Sequence, residues 1–314
     1  MNKGQMIFRT YSLLGRALSA LPEPVALGLG AVVGDVLFTV KVDHRRMVSK
    51  NLRRVLGGAV DEVSLQRWAK RSFRAYARYW VEGARLGSTP KSEVLQRMVV
   101  QGFEHLTQGL EAGNGVVMAL PHVGSWEYGA AFLAAVGYPM TAVAERLEPP
   151  ELFDYFVAQR AAMGLTVIPL GEGSTAAIIQ VLRDGRLVGL LSDRDLFLNG
   201  VEVEFFGEKT TMPGGPATLA LRTGATLLTT AVYSGPGRAH HAVINAAIDT
   251  TRTGSFRTDV RRIAQEIATE FEGLIRHAPE QWHLFQPLWP NDRPAEGPGQ
   301  RPDSGVDGRP EERR

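Results

Sequence analysis

A histidine and a carboxylate follow an apolar run in the segment VVMALPHVGSWE (116–127). The run Val116–Leu120 predicts a buried strand that ends at Pro121, and the carboxyl ends of strands are where open α/β sheets bind ligands. On one continuous helix, side chains five residues apart would point about 140° away from each other. His122 can therefore meet Glu127 only if the histidine lies in a turn and the glutamate in the first turn of the next helix. That arrangement predicts a general base, His122, oriented by Glu127; an ordinary helix start beside a surface histidine is the alternative.

The sequence around Ser125 and the absence of cysteine limit which nucleophiles the chain could use. Ser125 lies outside any G-x-S-x-G nucleophile elbow, so we interpret it as the N-cap of the following helix. The chain has no cysteine, which excludes thiol nucleophiles and disulfides. It also has no HExxH motif, and the remaining histidines lack ligand spacing, so we expect no metal site.

An arginine continues an apolar stripe in the predicted helix 151–163. Leu152, Phe156 and Arg160 recur every four residues, which directs the guanidinium inward, where it needs a partner or an anion. A structural salt bridge would satisfy it equally well. Glu145 follows the predicted strand 140–144 and should lie at the same edge of the sheet.

Three charged residues follow another predicted core strand. The predicted strand 187–192 runs directly into Asp193, Arg194 and Asp195. Charges at the end of a buried strand are unfavourable unless they are paired, so this cluster predicts part of a binding site.

A glycine-rich turn offers a different function. Gly171-x-Gly173-x-x-Ala176 lies between a predicted strand and a predicted helix, and Asp193 follows 22 residues after the first glycine. This spacing matches the dinucleotide-binding fingerprint and would indicate an NAD(P)-binding oxidoreductase. Glu172 inside the turn would repel a pyrophosphate.

The elements that must position these residues fall into three regions. Residues 1–90 are predicted to be helical, residues 91–290 alternate strands with helices, and residues 291–314 are rich in proline, glycine and charge and are predicted to be disordered. The fold class is therefore α/β, with a central mixed, largely parallel sheet flanked by helices. Strands are predicted at 115–120, 140–144, 165–170, 187–192, 201–206, 226–233 and 241–248, and helices at 125–136, 151–163, 174–184, 216–223 and 258–277.

The charge is divided unevenly along the chain. Of the 314 residues, the first 90 carry 15 Lys/Arg against 6 Asp/Glu, whereas the whole chain has a net charge of only +2. A basic front region favours an anionic partner, either nucleic acid or an anionic membrane surface; a solvated basic face with no partner is the alternative. The longest uncharged stretch near the start, residues 24–34, has 11 residues. It is too short to span a bilayer, so we expect either a core helix pair or a segment in the membrane interface.

Taken in order, these motifs resemble one enzyme family. PHVGSWE resembles the H-x(4)-D/E box of the glycerophospholipid and lipid A type acyltransferases, and FVAQRAAMG resembles their second, arginine-bearing block. The stretch from SDRD to ALRTGA looks like the block that follows in the lipid A branch. ALSALPEPVA and RAYARYWVEGARL resemble the actinobacterial members that acylate phosphatidylinositol mannosides.

The resemblance implies an activity and roles for the candidate residues. It implies transfer of a long-chain acyl group, palmitoyl, from acyl-CoA to a mannose hydroxyl of a phosphatidylinositol mannoside, without a cofactor. His122 and Glu127 would be catalytic, and the substrate would be held by Ser125, Glu145, Arg160, Asp193, Arg194 and Asp195. The protein would be a monomer bound peripherally to the cytoplasmic face of the plasma membrane, with no nucleic-acid partner. Lipid A acylation from acyl carrier protein is the alternative within the family.

Overall fold

The computed structural model describes residues 3–195 and 197–293. Its first 90 residues form four helices, which confirms the predicted helical region: α1 (Lys3–Ala20), α2 (Glu23–Val40), α3 (Val42–Leu56) and α4 (Glu62–Leu86). The start of α4 is set by Asp61, whose side chain accepts a hydrogen bond from the Ser64 amide. Most of the predicted disordered tail lies outside the described residues.

Strands and helices alternate through the rest of the chain, as predicted. The strands are β1 (Met98–Gln101), β2 (Val116–Leu120), β3 (Met140–Ala144), β4 (Thr166–Pro169), β5 (Leu187–Leu191), β6 (Val201–Phe205), β7 (Glu208–Met212), β8 (Thr226–Ser234) and β9 (His240–Ile244). The helices are α5 (Lys91–Arg97), α6 (Phe103–Glu111), α7 (Trp126–Ala135), α8 (Pro150–Ala162), α9 (Ser174–Arg183), α10 (Gly215–Thr223) and α11 (Phe256–His277). The sequence pattern missed β1, β7, α5 and α6; in β7 (EKTTM), for example, Met212 is the only apolar residue, so no apolar run marks the strand.

Seven strands form one sheet in the order β1-β9-β8-β2-β5-β3-β4. Every neighbouring pair is parallel except β8 and β9, so the predicted mixed, largely parallel sheet is confirmed. Strands β6 and β7 form a separate antiparallel hairpin. Because β2 and β5 are adjacent, the loops that follow them meet at the same edge of the sheet.

The central strand β2 is buried on both faces. Val117 and Ala119 pack with residues of α9, α10 and α11, whereas Val116 and Met118 pack with residues of α6 and α7. Helices on both faces of a parallel sheet explain why this strand is apolar throughout rather than alternating.

Helix α2 packs along α4 through small residues. A Cβ on Gly34 would approach the Arg74 backbone to 2.8 Å, so only glycine allows this distance between the helices. Asp35, within α2, pairs with Arg74 and Lys70 of α4. Within the part of the chain described, α2 is one helix that is long and apolar enough to cross a membrane, and only 17% of it is buried. The expectation of no segment long enough to span was therefore wrong, because the apolar helix extends through Asp35 to Val40.

Candidate active site

His122 lies in a tight loop between β2 and α7. Gly124 in this loop has a φ of +61°, and a Cβ there would approach the Val232 carbonyl oxygen to 2.0 Å. The Ser125 amide donates to the same Val232 oxygen at 2.8 Å, which ties the loop to β8. The backbone therefore requires glycine at this position, and the loop holds His122 at the carboxyl end of the sheet with 9% of its surface exposed.

The carboxylate that contacts His122 is Asp193, not Glu127. The Nδ1 of His122 is hydrogen-bonded to Asp193 Oδ1, and the His122 amide donates to Asp193 Oδ2 at 3.0 Å. Asp193 follows β5, the strand beside β2, so its carboxylate faces the turn that contains His122. The predicted orienting contact from Glu127 is wrong: adjacent strands brought a residue 71 positions away closer than the next helix could.

The opposite ring nitrogen of His122 is also occupied. Arg194 Nη2 lies 2.9 Å from His122 Nε2. Its Nη1 donates to the exposed Gln286 Oε1 at 3.2 Å. The described residues provide no hydrogen-bond partner for the buried Nε of Arg194.

Glu127 joins a second polar group. Its Oε1 accepts from Tyr79 Oη at 3.1 Å and from Arg160 Nη2 at 3.0 Å. The predicted inward arginine is thus confirmed, and its partner is the carboxylate of α7. The other oxygen, Oε2, is buried and finds no hydrogen-bond partner among the residues described.

The surroundings of Asp193 and Tyr79 determine the protonation state of each side chain at neutral pH. Burial alone raises the pKa of Asp193, but the His122 ring, the Trp282 N–H and the Arg194 guanidinium outweigh it and lower that pKa to about 2. Burial, reinforced by the Glu127 carboxylate, raises the pKa of Tyr79 well above its usual value. Asp193 is therefore an anion and Tyr79 a hydrogen-bond donor at neutral pH.

A strap formed by residues 281–283 holds the histidine loop from the other side. The Gly124 amide donates to the Gln281 carbonyl at 2.9 Å, and the His283 amide donates to the His122 carbonyl at 2.7 Å. Trp282 Nε1 donates to Asp193 Oδ2 at 2.8 Å. The strap therefore positions both members of the His122–Asp193 pair.

His283 is a buried, neutral member of the strap. Its Nε2 lies 3.0 Å from the Gly124 carbonyl oxygen, which requires that nitrogen to be the donor. Burial lowers the pKa of His283 to about 3. Sequence reasoning set this histidine aside for lack of ligand spacing. It also missed Trp282 of the strap and Tyr79 of α4, because contacts between residues so distant in sequence leave no local motif.

Three further candidate residues are not hydrogen-bonded to His122 in the described part of the chain. Ser125 is at the predicted N-cap position of α7, but its side chain makes no capping hydrogen bond. Glu145 is exposed just after β3, at the same sheet edge. Asp195 accepts from the Gly200 amide at 2.8 Å and so stabilises its own loop. Their predicted substrate contacts stay predictions.

The glycine-rich turn does not assemble a dinucleotide site. The turn follows β4, which is the edge strand of the sheet. Ser174 Oγ donates to the Gly171 carbonyl and closes the turn on itself. Asp193, the acidic residue that the fingerprint requires at the ribose, is bound to His122 and Trp282.

Comparison with known proteins places the chain in a family. A profile of the bacterial lipid A biosynthesis acyltransferases matches residues 4–291. The chain belongs to this family. A phosphatidylinositol mannoside acyltransferase of Mycolicibacterium smegmatis is 34% identical over 290 residues, which cover 91% of this chain and 92% of that protein. One of the same name from Mycobacterium tuberculosis is 39% identical over 248 residues, covering 76% of this chain and 75% of that protein.

A distant likeness to a solved structure accompanies these relatives. The crystal structure of the 1-acyl-sn-glycerophosphate acyltransferase PlsC from Thermotoga maritima matches with 13% identity and a TM-score of 0.36, over 80% of this chain and 95% of that one. Family membership makes this chain an acyltransferase, as the motifs had predicted.

Both ring nitrogens of His122 have defined hydrogen-bonding roles. Asp193 holds His122 with Nδ1 as the donor, which makes Nε2 the acceptor nitrogen, and Arg194 donates to it in this structure. Neither cysteine nor a nucleophile elbow is present in the chain. Among the described residues, no group of three or more His, Cys, Asp and Glu side chains could hold a metal ion.

An apolar cavity of about 380 Å³ lies beside the site, between α1, α2, α4 and α8. Glu127 and Arg160 line it, so their ion pair is in contact with a largely apolar space. Leu14 and Val33 also line it, and both are more than half exposed. The cavity is therefore continuous with the exposed apolar surface of α1 and α2.

Proposed function

We propose that this acyltransferase moves a long-chain acyl group, palmitoyl, from acyl-CoA to a mannose hydroxyl of a phosphatidylinositol mannoside. The observation that carries the proposal is the His122–Asp193 pair at the carboxyl ends of β2 and β5, in a chain similar along most of its length to enzymes named for this acceptor. The acceptor specificity rests on those names, and the reaction type on the site.

The reaction proceeds by direct transfer. The acceptor hydroxyl donates its proton to His122 Nε2 while its oxygen attacks the thioester carbonyl. The C–S bond then breaks, and the proton passes from His122 to the departing CoA thiolate. Asp193 stabilises the imidazolium between these steps, and a general base of this kind contributes on the order of 10²–10⁴-fold in rate.

Glu127 and Arg160 act on the acceptor in this proposal rather than on His122. An ion pair that lines an apolar cavity offers donors and acceptors to sugar hydroxyls, and the guanidinium can also bind phosphate. Glu145, exposed at the same sheet edge, adds a further acceptor for hydroxyl groups. The apolar remainder of the cavity suits lipid chains.

A membrane surface supplies both substrates. The exposed apolar face of α1 and α2 comprises Leu13, Leu14, Val25, Leu29, Val32, Val33, Val36 and Val40. An exposed apolar patch of this extent on a protein surface marks an interaction site. The excess of basic residues in the first 90 positions favours an anionic bilayer, and we assign the protein to the cytoplasmic face, where acyl-CoA is present.

Thiol release from palmitoyl-CoA tests the proposal directly. Release that depends on added phosphatidylinositol mannoside, with one acyl chain gained by the lipid in mass analysis, would support it. No release in either condition would redirect the assignment to acyl carrier protein and lipid A acceptors, the alternative within the family.

His122→Ala tests the general base in the same assay. We expect transfer to fall by about 10²–10⁴-fold with the circular dichroism spectrum unchanged, because the proposed general base is removed. A variant that keeps more than a tenth of the wild-type rate would overturn the assignment.

A further inference from the structure

Arg194 covers the nitrogen on which the proposed reaction depends. Its guanidinium has only donors, so the 2.9 Å contact with His122 Nε2 is an N–H that donates to the imidazole lone pair. Asp193 holds the other nitrogen, Nδ1. In this arrangement the base has no free lone pair for a hydroxyl or for water.

The guanidinium is incompletely satisfied where it lies. Nη1 reaches only the exposed Gln286 side chain, and the buried Nε has no hydrogen-bond partner among the described residues. An unpaired buried donor is unfavourable by about 1–3 kcal/mol. A phosphate ester, which accepts two parallel N–H bonds from arginine, would satisfy Nε and one terminal nitrogen together.

We propose that Arg194 is a latch on His122 that is released by the phosphate of the acceptor headgroup. This inference rests on the proposed function and adds a control to it: the base becomes available only when the acceptor is bound. The donor also carries phosphates, but release by CoA would free the base while water was the only nucleophile present. The latch therefore suppresses hydrolysis of acyl-CoA.

The two reactions that compete for His122 differ only in the nucleophile. With the latch open and the acceptor bound, the sugar oxygen forms the ester bond, the C–S bond breaks and the proton ends on the CoA thiol. If water takes that place, the same base yields a free fatty acid and CoA. An occupied Nε2 prevents the second reaction while the acceptor is absent.

The first test measures thiol release from palmitoyl-CoA by Arg194→Met. We expect release without acceptor to rise about tenfold, the equilibrium effect of one hydrogen bond to a charged group, and the KM for the acceptor to increase. The matched control is Arg222→Met, because the Arg222 guanidinium lies over the Phe256 ring of α11. Release that falls equally with and without acceptor would assign Arg194 to the transition state and overturn the latch.

The second test needs no acyl donor, so it separates failure of the latch from failure of the proposed reaction. In ¹⁵N-histidine-labelled protein, with His122 assigned through His122→Gln, the Nε2 resonance should move toward that of a free lone pair in Arg194→Met. Glycerophosphoinositol should cause the same change in the wild type, whereas myo-inositol should not. Identical Nε2 resonances in the two proteins, or a response to CoA instead, would overturn the proposal.

Discussion

At the scale of single residues, the site depends on which carboxylate reaches His122. Asp193 is fully buried and contacts the ring, the His122 amide and the Trp282 indole, so its three partners fix one position for the carboxylate. Glu127 is closer to His122 in the sequence, but its carboxylate is hydrogen-bonded to Tyr79 and Arg160 instead. The His122 ring is therefore oriented by the residue that follows β5, and not by the helix that follows its own loop.

Asp193→Asn should reduce acyl transfer by about 10²–10⁴-fold while the fold is retained, because an amide that donates to Nδ1 selects the wrong imidazole tautomer. The measurement is the rate of acceptor-dependent thiol release at saturating acyl-CoA. Asp249→Asn is the control, since Asp249 is exposed and accepts from the Thr251 amide in its own loop. A loss of less than tenfold would show that Asp193 is not required to orient His122.

His283 predicts a pH dependence of folding stability. Its pKa is about 3 in the folded protein and about 6.5 when unfolded, so the unfolded chain binds the proton first as the pH falls. The stability that neutral His283 contributes is present above pH 6.5 and is lost toward pH 3, by up to about 1.4 kcal/mol per pH unit. The pKa of Asp193 is lowered to about 2, so the contribution of this carboxylate to folding stability is lost only below about pH 4.

His283→Gln should flatten this dependence between about pH 4 and 6.5, because the glutamine amide can still donate to the Gly124 carbonyl without titrating. Urea denaturation at several pH values gives the free energy of unfolding. His44→Gln, at an exposed position, is the control. Equal slopes for His283→Gln and the wild type would contradict a buried neutral histidine.

At the scale of elements, the loop after β2 is clamped between β8 and the strap. Gly124 bonds to Gln281 on one side and lies against Val232 on the other. The loop position is therefore decided by two elements that are both distant in sequence, and a small change in either should move His122.

Gly124→Ala tests whether the contacts of Gly124 with β8 and the strap position the loop. A non-glycine residue at positive φ is strained by about 1–3 kcal/mol, and the added Cβ also meets the Val232 oxygen at 2.0 Å, so the loop must move and transfer should be nearly lost. Gly137→Ala is matched, since its φ is +94° and nothing lies within 4 Å of the added Cβ. We expect that variant to be less destabilised in urea denaturation and to keep its activity; equal losses would contradict the clamp.

At the scale of the whole molecule, the helices of the first 90 residues combine three features: an exposed apolar surface, an excess of basic residues and the wall of a cavity. The cavity between α1, α2, α4 and α8 reaches the Glu127–Arg160 pair, while its rim belongs to the exposed face of α2. The cavity therefore connects the exposed apolar face of α2 to the Glu127–Arg160 pair.

Val32→Asp with Val36→Asp should weaken binding to vesicles that contain anionic phospholipid by at least about tenfold, because two apolar contacts are replaced by charge. Vesicle cosedimentation measures the effect, and binding of the wild type should also weaken with added salt. Val99→Asp, an equally exposed valine on the edge strand β1, is the control. Equal binding by all three proteins would place the membrane surface elsewhere.

The sequence by itself determined the α/β class, the position of His122 directly after a buried strand and the presence of charges at strand ends. These follow from local patterns: apolar runs, helical periodicity, and residues such as His122 and Asp193 placed directly after a strand. The inward Arg160 also followed from its spacing. The family resemblance supplied the activity.

Only the tertiary structure decided which of these residues meet. Strand order is not encoded in any local pattern, and it is the adjacency of β2 and β5 that brings Asp193 to His122 and leaves Glu127 to Arg160. The strap at 281–283 reaches the loop across some 160 residues through backbone hydrogen bonds and through the His283 side chain, and none of these contacts forms a local sequence motif. Contacts of that kind arise from packing of the whole chain, and the sequence carries no separate signal for them.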